Sequence, residues 1–474
     1  MPLVSLGRRA LLAAFLVVST TFITSVPLHA QASGNGTIYL PLIVGNTTTT
    51  VSAAGNALQS ALDAATPGDV ITLQSMTYTQ DVTIRRSGTA TAPITLRGAG
   101  IGKSIIAGKV RVQNAAYVVI QDLDVNAAGK DDAIRITAPA QYVTVQRVHL
   151  YGGSGYGVRI ENDVNRVLIE DSEINGFNAG SSDAHGVGIM TASDVTVRRC
   201  NIYGNSGDSV QVNTPDYPGY KRFASNILIE DNNLHENREN AVDIKSARGV
   251  VVRNNRMWGF RAVDSSDGMA IQVQYDAQDV TITGNEVWDA VEGLEITRGN
   301  KNGGVYPAAP QRVTIAGNLM HDFVKAGGDS ASGSGIVVRS SGTVKVYNNT
   351  ILRAASAAIY VSYSAKTDLP TNVDIRNNVF DGITNDVYFA ATPANFAGLV
   401  VDYNHYVNGL VNGSSLATWL AKGFEKHATT GNTLLDAGSL PQAGSPLIDS
   451  GVNVGLPFTG SNPDRGWSEF APTS

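Results

Sequence analysis

Short runs in which every second residue is Val, Ile or Leu recur along most of the chain, and they are of two kinds. The first follows the pattern V-x-I-x-x-N-x-apolar and includes VLIEDSEI, VTVRRCNI, ILIEDNNL, VVVRNNRM, VTITGNEV, VTIAGNLM, VKVYNNTI and VDIRNNVF. The second is shorter and falls between successive copies of the first: AIRIT, GVRIE, GVGIM, SVQVN, AVDIK, AIQVQ, GLEIT and GIVVR. Two-residue alternation predicts a strand for each run, with one apolar face and one face free for other residues. The copies lie roughly 23 to 33 residues apart, a period that falls on solenoids. Each coil then contributes two strands joined by a turn, a tight turn, a short strand and a variable loop. Long 3.6-period stretches are scarce, so the chain is expected to be all-β.

One position per copy reads Ser172, Cys200, Asn232, Asn255, Asn285, Asn318, Asn349 and Asn378. Asparagine tolerates left-handed turns, and its amide can bond to the same residue one coil away, so a stacked ladder is predicted. Cys200 occupies a ladder slot and reads as a packing residue; as the single cysteine it excludes an intramolecular disulfide. The repeats and the asparagine slot resemble right-handed parallel β-helix proteins of the pectate-lyase-like superfamily, over roughly residues 56–410. NALQSALDAATPGDVITL is similar to the helical N-terminal cap of secreted members, with Leu58, Ala61, Leu62 and Ala65 on one face. SSLATWLAKGFEKH, AGSPLIDSG and PDRGWSEF resemble the C-terminal extension of exported β-helix proteins that act on polysaccharides. The expected organisation is a signal peptide over 1–31, a linker over 32–55, a right-handed parallel β-helix over 56–409 and a capping extension over 410–474.

The leader reading rests on Arg8 and Arg9, the apolar run after them and the small residues around Ala30 to Ala32. It predicts an exported protein, secreted or held at the cell surface, with no stable membrane span once the leader is removed. A net charge of -6 and a pI of about 5.7 supply no general basic footprint. Nucleic acid is therefore not an expected partner, and an anionic ligand needs local positive charge. A monomer is expected.

Stacking the short strands in register sets two outward columns. The first reads Arg135, Arg159, Gly188, Gln211, Asp243, Gln272, Glu295, Val337, and the second Thr137, Glu161, Met190, Asn213, Lys245, Gln274, Thr297, Arg339. From Gln211 to Thr297 both are polar, Lys245 is their one lysine, and Asp243 lies beside it. The longest loops, NGFNAGSSDAHG, TPDYPGYKRFAS, WGFRAVDSSDG and NKNGGVYPAAP, fall on the same coils and would wall a groove. Gln211, Asn213, Gln272, Gln274 and Glu295 are expected to bind substrate there, with His185 and Arg261 from the loops. Tyr203, His235, Trp258, Trp288 and His321 form a further column; its rings, Trp258 and Trp288 above all, suit stacking on sugar faces or against neighbouring loops. Asp183, Asp208, Glu239 and Asp267 precede the short strands on four successive coils. Coils stack about 4.8 Å apart, so with Asp243 these acids are candidates for a shared hard cation such as calcium, or for bonding turn amides.

The resemblance implies an acidic polysaccharide as partner and, in many members, cleavage of a uronate chain by β-elimination. That reaction needs a cation or arginine on the uronate carboxylate and a lysine or arginine to remove the adjacent proton. AVDIK is similar to the lysine-bearing strands of such lyases, which makes Lys245 the candidate base, with Arg298, two coils on, as its candidate catalytic partner. Asp243 opposes this role by stabilising the ammonium unless positive charge lies nearby. A glycoside hydrolase using Asp243 and Glu295, a C5-epimerase and a non-catalytic carbohydrate-binding solenoid remain open on the same fold.

Overall fold

A chain that places Val or Ile at every second position, coil after coil, can bury those residues only by winding around a common axis. In the computed structural model the described residues are 48–51, 57–214, 222–263, 266–301, 304–305, 308–326, 329–363, 368–383 and 385–471, and from 57 onward they wind into a right-handed parallel β-helix. In one coil, Ser225–Glu230 turns into Asn233–His235, a loop follows, and Val242–Lys245 closes the circuit. Ile227, Ile229, Leu234, Val242 and Ile244 all point inward and are buried. Burial of each such side chain contributes roughly 1.5–3 kcal/mol, and successive coils repeat it along one continuous core.

The short strands form one sheet in which Val82–Ile84, Val110–Gln113, Ile134–Thr137, Val158–Ile160, Val187–Met190, Val210–Asn213, Val242–Lys245, Met269–Gln274, Glu292–Thr297 and Ile336–Arg339 follow in order. Its register pairs Gln211 with Asp243, Asp243 with Gln272, and Gln272 with Glu295. Asn213 likewise pairs with Lys245, and Lys245 with Gln274. These are the columns expected from the alternation.

The asparagine ladder is present and fully buried. Oδ1 of Asn255, Asn285, Asn318, Asn349 and Asn378 each accepts the backbone amide of the preceding slot at 3.0–3.1 Å. The ladder runs one step beyond the expected slots, to Asn404, whose Nδ2 donates to Glu425 at 2.8 Å. The left-handed conformation falls one residue earlier than expected, at Asp231, Asn254, Gly284, Gly317, Asn348 and Asn377. The slot asparagine is thereby free to aim its amide along the axis. Cys200 sits in its slot with its amide on Asn232 Oδ1 at 2.9 Å, and burial pushes its thiol up to about 12, which keeps it protonated and inert. Asn285→Ala strands the Asn255 amide in the core, so chemical denaturation should show a loss of about 3 kcal/mol; a loss below about 0.5 kcal/mol would show that the ladder contributes little.

Both ends are closed. The Ala57–Ala64 helix buries Leu58 and Leu62, and Gln59 bonds the Thr83 backbone in both directions, donating at 2.9 Å and accepting at 2.8 Å. Its amide thus meets edge groups that a further strand would otherwise take. Within the expected linker, Thr48–Val51 forms a strand parallel to Val70–Leu73; the expected signal peptide lies outside the described residues. At the other end Val411 still pairs with Val387, just past the expected boundary, and the Leu416–Ala421 helix follows with Trp419 Nε1 donating to the Val411 carbonyl at 2.7 Å. The remaining extension folds back on the solenoid: Asn348 and Asn377 donate to the carbonyls of Asp464 and Val452 at 2.8 Å, and Arg465 reaches those of Asn404, His427 and Ser450. No helix among the described residues is long and apolar enough to cross a membrane.

Candidate functional site

Residues 243 and 245 sit two apart on one strand and therefore share its outer face. There Lys245 Nζ meets Asp243 Oδ2 at 2.6 Å, with the Lys245 side chain 24% exposed and that of Asp243 only 3%. Burial works to lower the lysine pKa, but the charges of Asp243 and Asp208 outweigh it and hold the ammonium well above the ordinary lysine value. Asp243 Oδ1 accepts Gln274 Nε2 at 2.9 Å, and the same Nε2 reaches Gln272 Oε1 at 2.7 Å. Gln272 in turn donates to Glu295 Oε2 at 3.1 Å, and Arg339 meets Glu295 Oε1 at 3.0 Å and Asp329 at 2.6 Å. One hydrogen-bonded chain therefore links Lys245 to Arg339 across four coils.

Beside the pair, at the loop-to-strand corner, ligand atoms of His185, Asp208 and Glu239 all lie within 4.8 Å of one another. Asp208 is fully buried; its Oδ1 accepts both the amide and the side chain of Asn240, at 3.0 and 2.9 Å, and Oδ2 accepts Gln211 Nε2 at 3.2 Å. Burial pushes the Asp208 pKa up, but His185, Lys245 and Asn240 pull it down further, so it stays ionised below the ordinary carboxylate value. The Asp208 amide donates to His185 Nδ1 at 2.9 Å. Burial works to lower the His185 pKa, but Asp208, its Oδ2 3.1 Å from that nitrogen, outweighs it and holds the pKa above the ordinary histidine value.

The other acids expected at a cation are elsewhere. Asp243 is engaged with Lys245 and Gln274, Asp183 meets Arg238 at 2.7 Å, and Asp267 is exposed. Arg298 follows the Glu292–Thr297 strand and meets Asp368 at 2.9 Å, while Arg261 lies in an exposed pair with Asp289 at 2.6 Å. Trp258 and Trp288 keep the expected column, but on the outer face of the other sheet. The rings of Tyr203, His235, Trp258, Trp288 and His321 stack on one another at 4.9, 4.2, 4.8 and 5.9 Å. Between Tyr203 and His321 each ring face is therefore covered by a neighbour rather than open to a sugar.

Tyr156 escaped the repeat pattern because it lies in a loop. Its ring stacks on His185 at 5.1 Å, lies under the Arg159 guanidinium at 5.2 Å, and covers Gly188, where a Cβ would fall 2.4 Å from it. The missing side chain in the first outward column is its only trace in sequence. Its hydroxyl has no hydrogen-bond partner among the described residues. Burial raises its pKa, and the charges of Arg159 and Lys245 only partly offset this, so the group stays protonated into the alkaline range. Glu292 lies outside the expected columns: it is 1% exposed, neither of its oxygens has a hydrogen-bond partner among the described residues, and burial with Glu295 nearby lifts its pKa to about 9.

The chain matches the right handed beta helix region over residues 108–302 and 263–421, and it belongs to that family. No curated protein matches it in sequence. Among solved structures, a family 6 alginate lyase aligns with a TM-score of 0.59 at 14% identity, over 84% of this chain and 56% of that one. A family 6 polysaccharide lyase from Pseudopedobacter saltans aligns at 0.54 and 17%, over 79% and 95%. A family 28 exopolygalacturonase from Yersinia enterocolitica aligns at 0.53 and 10%, over 73% and 77%. At these identities the likeness shows the fold, which is shared by polysaccharide lyases and a glycoside hydrolase.

Proposed function

We propose that the protein is exported as a monomer, its leader within 1–31, and cleaves a uronic-acid polysaccharide by β-elimination on the short-strand sheet. The observation that supports this best is the position of Lys245: the one lysine in the outward columns, half-buried, acted on by the Asp243 and Asp208 carboxylates, and near enough to Tyr156 for its charge to act on that hydroxyl. In this reading the free amine of Lys245 takes the proton from the carbon next to the uronate carboxylate. That electron pair forms the ring double bond, the bond to the glycosidic oxygen breaks, and the Tyr156 hydroxyl protonates the departing oxygen. Incubation with a panel of uronate polymers should generate the ultraviolet absorbance of unsaturated chain ends. Intact polymers throughout the panel would sink the reading.

The acids around Lys245 set its pH dependence. Because they raise its pKa, the free amine grows with pH, and kcat/KM should climb through the neutral and alkaline range, about tenfold per unit. Asp243→Asn removes the largest upward influence, so the rising limb should move to lower pH. An unmoved limb would take Lys245 out of the proton transfer.

The His185, Asp208 and Glu239 cluster suits a divalent cation, since two carboxylates and one imidazole converge in a buried corner. The two carboxylates meet the oxygen preference of calcium, whereas the imidazole fits manganese or zinc better. A bound cation would add positive charge beside Lys245 and favour its free amine. Calorimetry with each ion should show binding that Asp208→Asn and Glu239→Gln abolish; no binding of calcium, manganese or zinc by the native chain would remove the cation.

A hydrolase reading has one observation in its favour. Glu292, its pKa pushed up to about 9, lies near Glu295, whose pKa burial also raises but which keeps Arg339 at 3.0 Å, so the two carboxyls differ in environment as an acid and a base would. Reducing ends released without unsaturation, and lost in Glu292→Gln, would establish it instead.

A further inference from the structure

We infer that the short-strand sheet carries a second binding region, a ladder of three arginines that receives the repeating carboxylates of an acidic polysaccharide on the N-terminal side of Lys245. Arg111 pairs in register with Arg135, and Arg135 with Arg159, so three guanidiniums occupy the same outward position on consecutive coils. Like charges stacked directly opposite one another oppose strand pairing, and at about 4.8 Å spacing they require anions between or above them.

The protein's own acids meet only part of that requirement. Glu161 Oε1 is taken by Arg135, whose Nε donates to it at 2.8 Å. Arg159 is left 3.8 Å from the same oxygen, and its buried Nε has no hydrogen-bond partner among the described residues. Asp131 is shared between Lys109 at 3.7 Å and Arg135 at 3.9 Å, while Asp132 lies 3.9 Å from Arg135 and has its pKa raised by burial. Arg111 is exposed and forms no ion pair or side-chain hydrogen bond among the described residues. The first and last arginines of the ladder thus have donors to spare.

They also face open space. A cavity of about 210 Å³ is lined by Arg111, Gln113, Arg135 and Thr137, and one of about 390 Å³ by Thr137, Arg159, Glu161 and Met190 among others. The two share Thr137. Met190 then pairs with Asn213, and Asn213 with Lys245, so the trough leads from the ladder to the proposed centre. A uronate polymer offers a carboxylate on every sugar, and planar guanidiniums suit carboxylates through paired hydrogen bonds. A neutral glycan offers nothing that would engage three stacked cations.

This inference rests on reading the sheet as a uronate-binding surface, and direct binding separates it from the proposed chemistry. The full chain bearing Lys245→Ala, so that nothing is cleaved, is titrated calorimetrically with hexamers of mannuronate, guluronate, galacturonate and glucuronate, and with neutral mannohexaose. At least one hexauronate should bind and mannohexaose should not. Arg111→Gln, an exposed change that leaves the core alone, and Arg159→Gln should each weaken that binding about 10-fold, with Arg111→Lys and Arg159→Lys in between. Equal affinity of parent and variants for every hexauronate, no hexauronate binding at all, or mannohexaose bound as tightly, would overturn the ladder. Binding that depends on the arginines in a protein without lyase activity would uphold the ladder and discard only the role of Lys245.

Discussion

Lys245→Ala is expected to lower turnover about 10²–10⁴-fold while the Michaelis constant changes little, because a general base acts on the transition state and not on the bound polymer. The variant also leaves Asp243 buried without its cation, so a folding check by thermal melting belongs with the kinetics. Lys245→Arg keeps the charge and should restore stability, yet its higher pKa should leave it a poor base. A Lys245→Ala protein that cleaves at the native rate would move the base to another residue.

Tyr156→Phe should cost about 10²-fold in turnover at unchanged stability, since the hydroxyl lost has no hydrogen-bond partner among the described residues. Gly188→Ala tests the same group by displacement: the added methyl would sit 2.4 Å from the ring, pushing the hydroxyl aside without deleting it. Both variants should fall together. Full activity in Tyr156→Phe would assign the proton for the departing oxygen to solvent or another side chain.

The register of the site was legible because strand alternation leaves no freedom: once Val242 and Ile244 face inward, Asp243 and Lys245 face outward together. The same rule gave the neighbours Gln211, Gln272 and Glu295. Loops obey no such rule. Asp208 and Glu239 come together, but with His185, which the sequence placed among substrate contacts; Asp243 belongs to the strand and turns to Lys245. Tyr156 had no repeat position to betray it. Arg135 and Arg159 were visible in the outward column and Arg111 was not, and a column does not tell which guanidiniums are already engaged, since that depends on the reach of Glu161.

The stacked indoles of Trp258 and Trp288, 4.8 Å apart and 14° from parallel, give the molecule an optical gauge of its own. Two such chromophores held face to face couple their electronic transitions, and the coupling depends steeply on separation and tilt. The near-ultraviolet dichroism of the native chain should therefore contain an indole couplet that reports the spacing between the coil carrying Arg256–Phe260 and the next, carrying Glu286–Ala290. Those coils run on into the strands of Gln272 and Glu295, so a sugar that shifts the stack would register as light before any bond is broken.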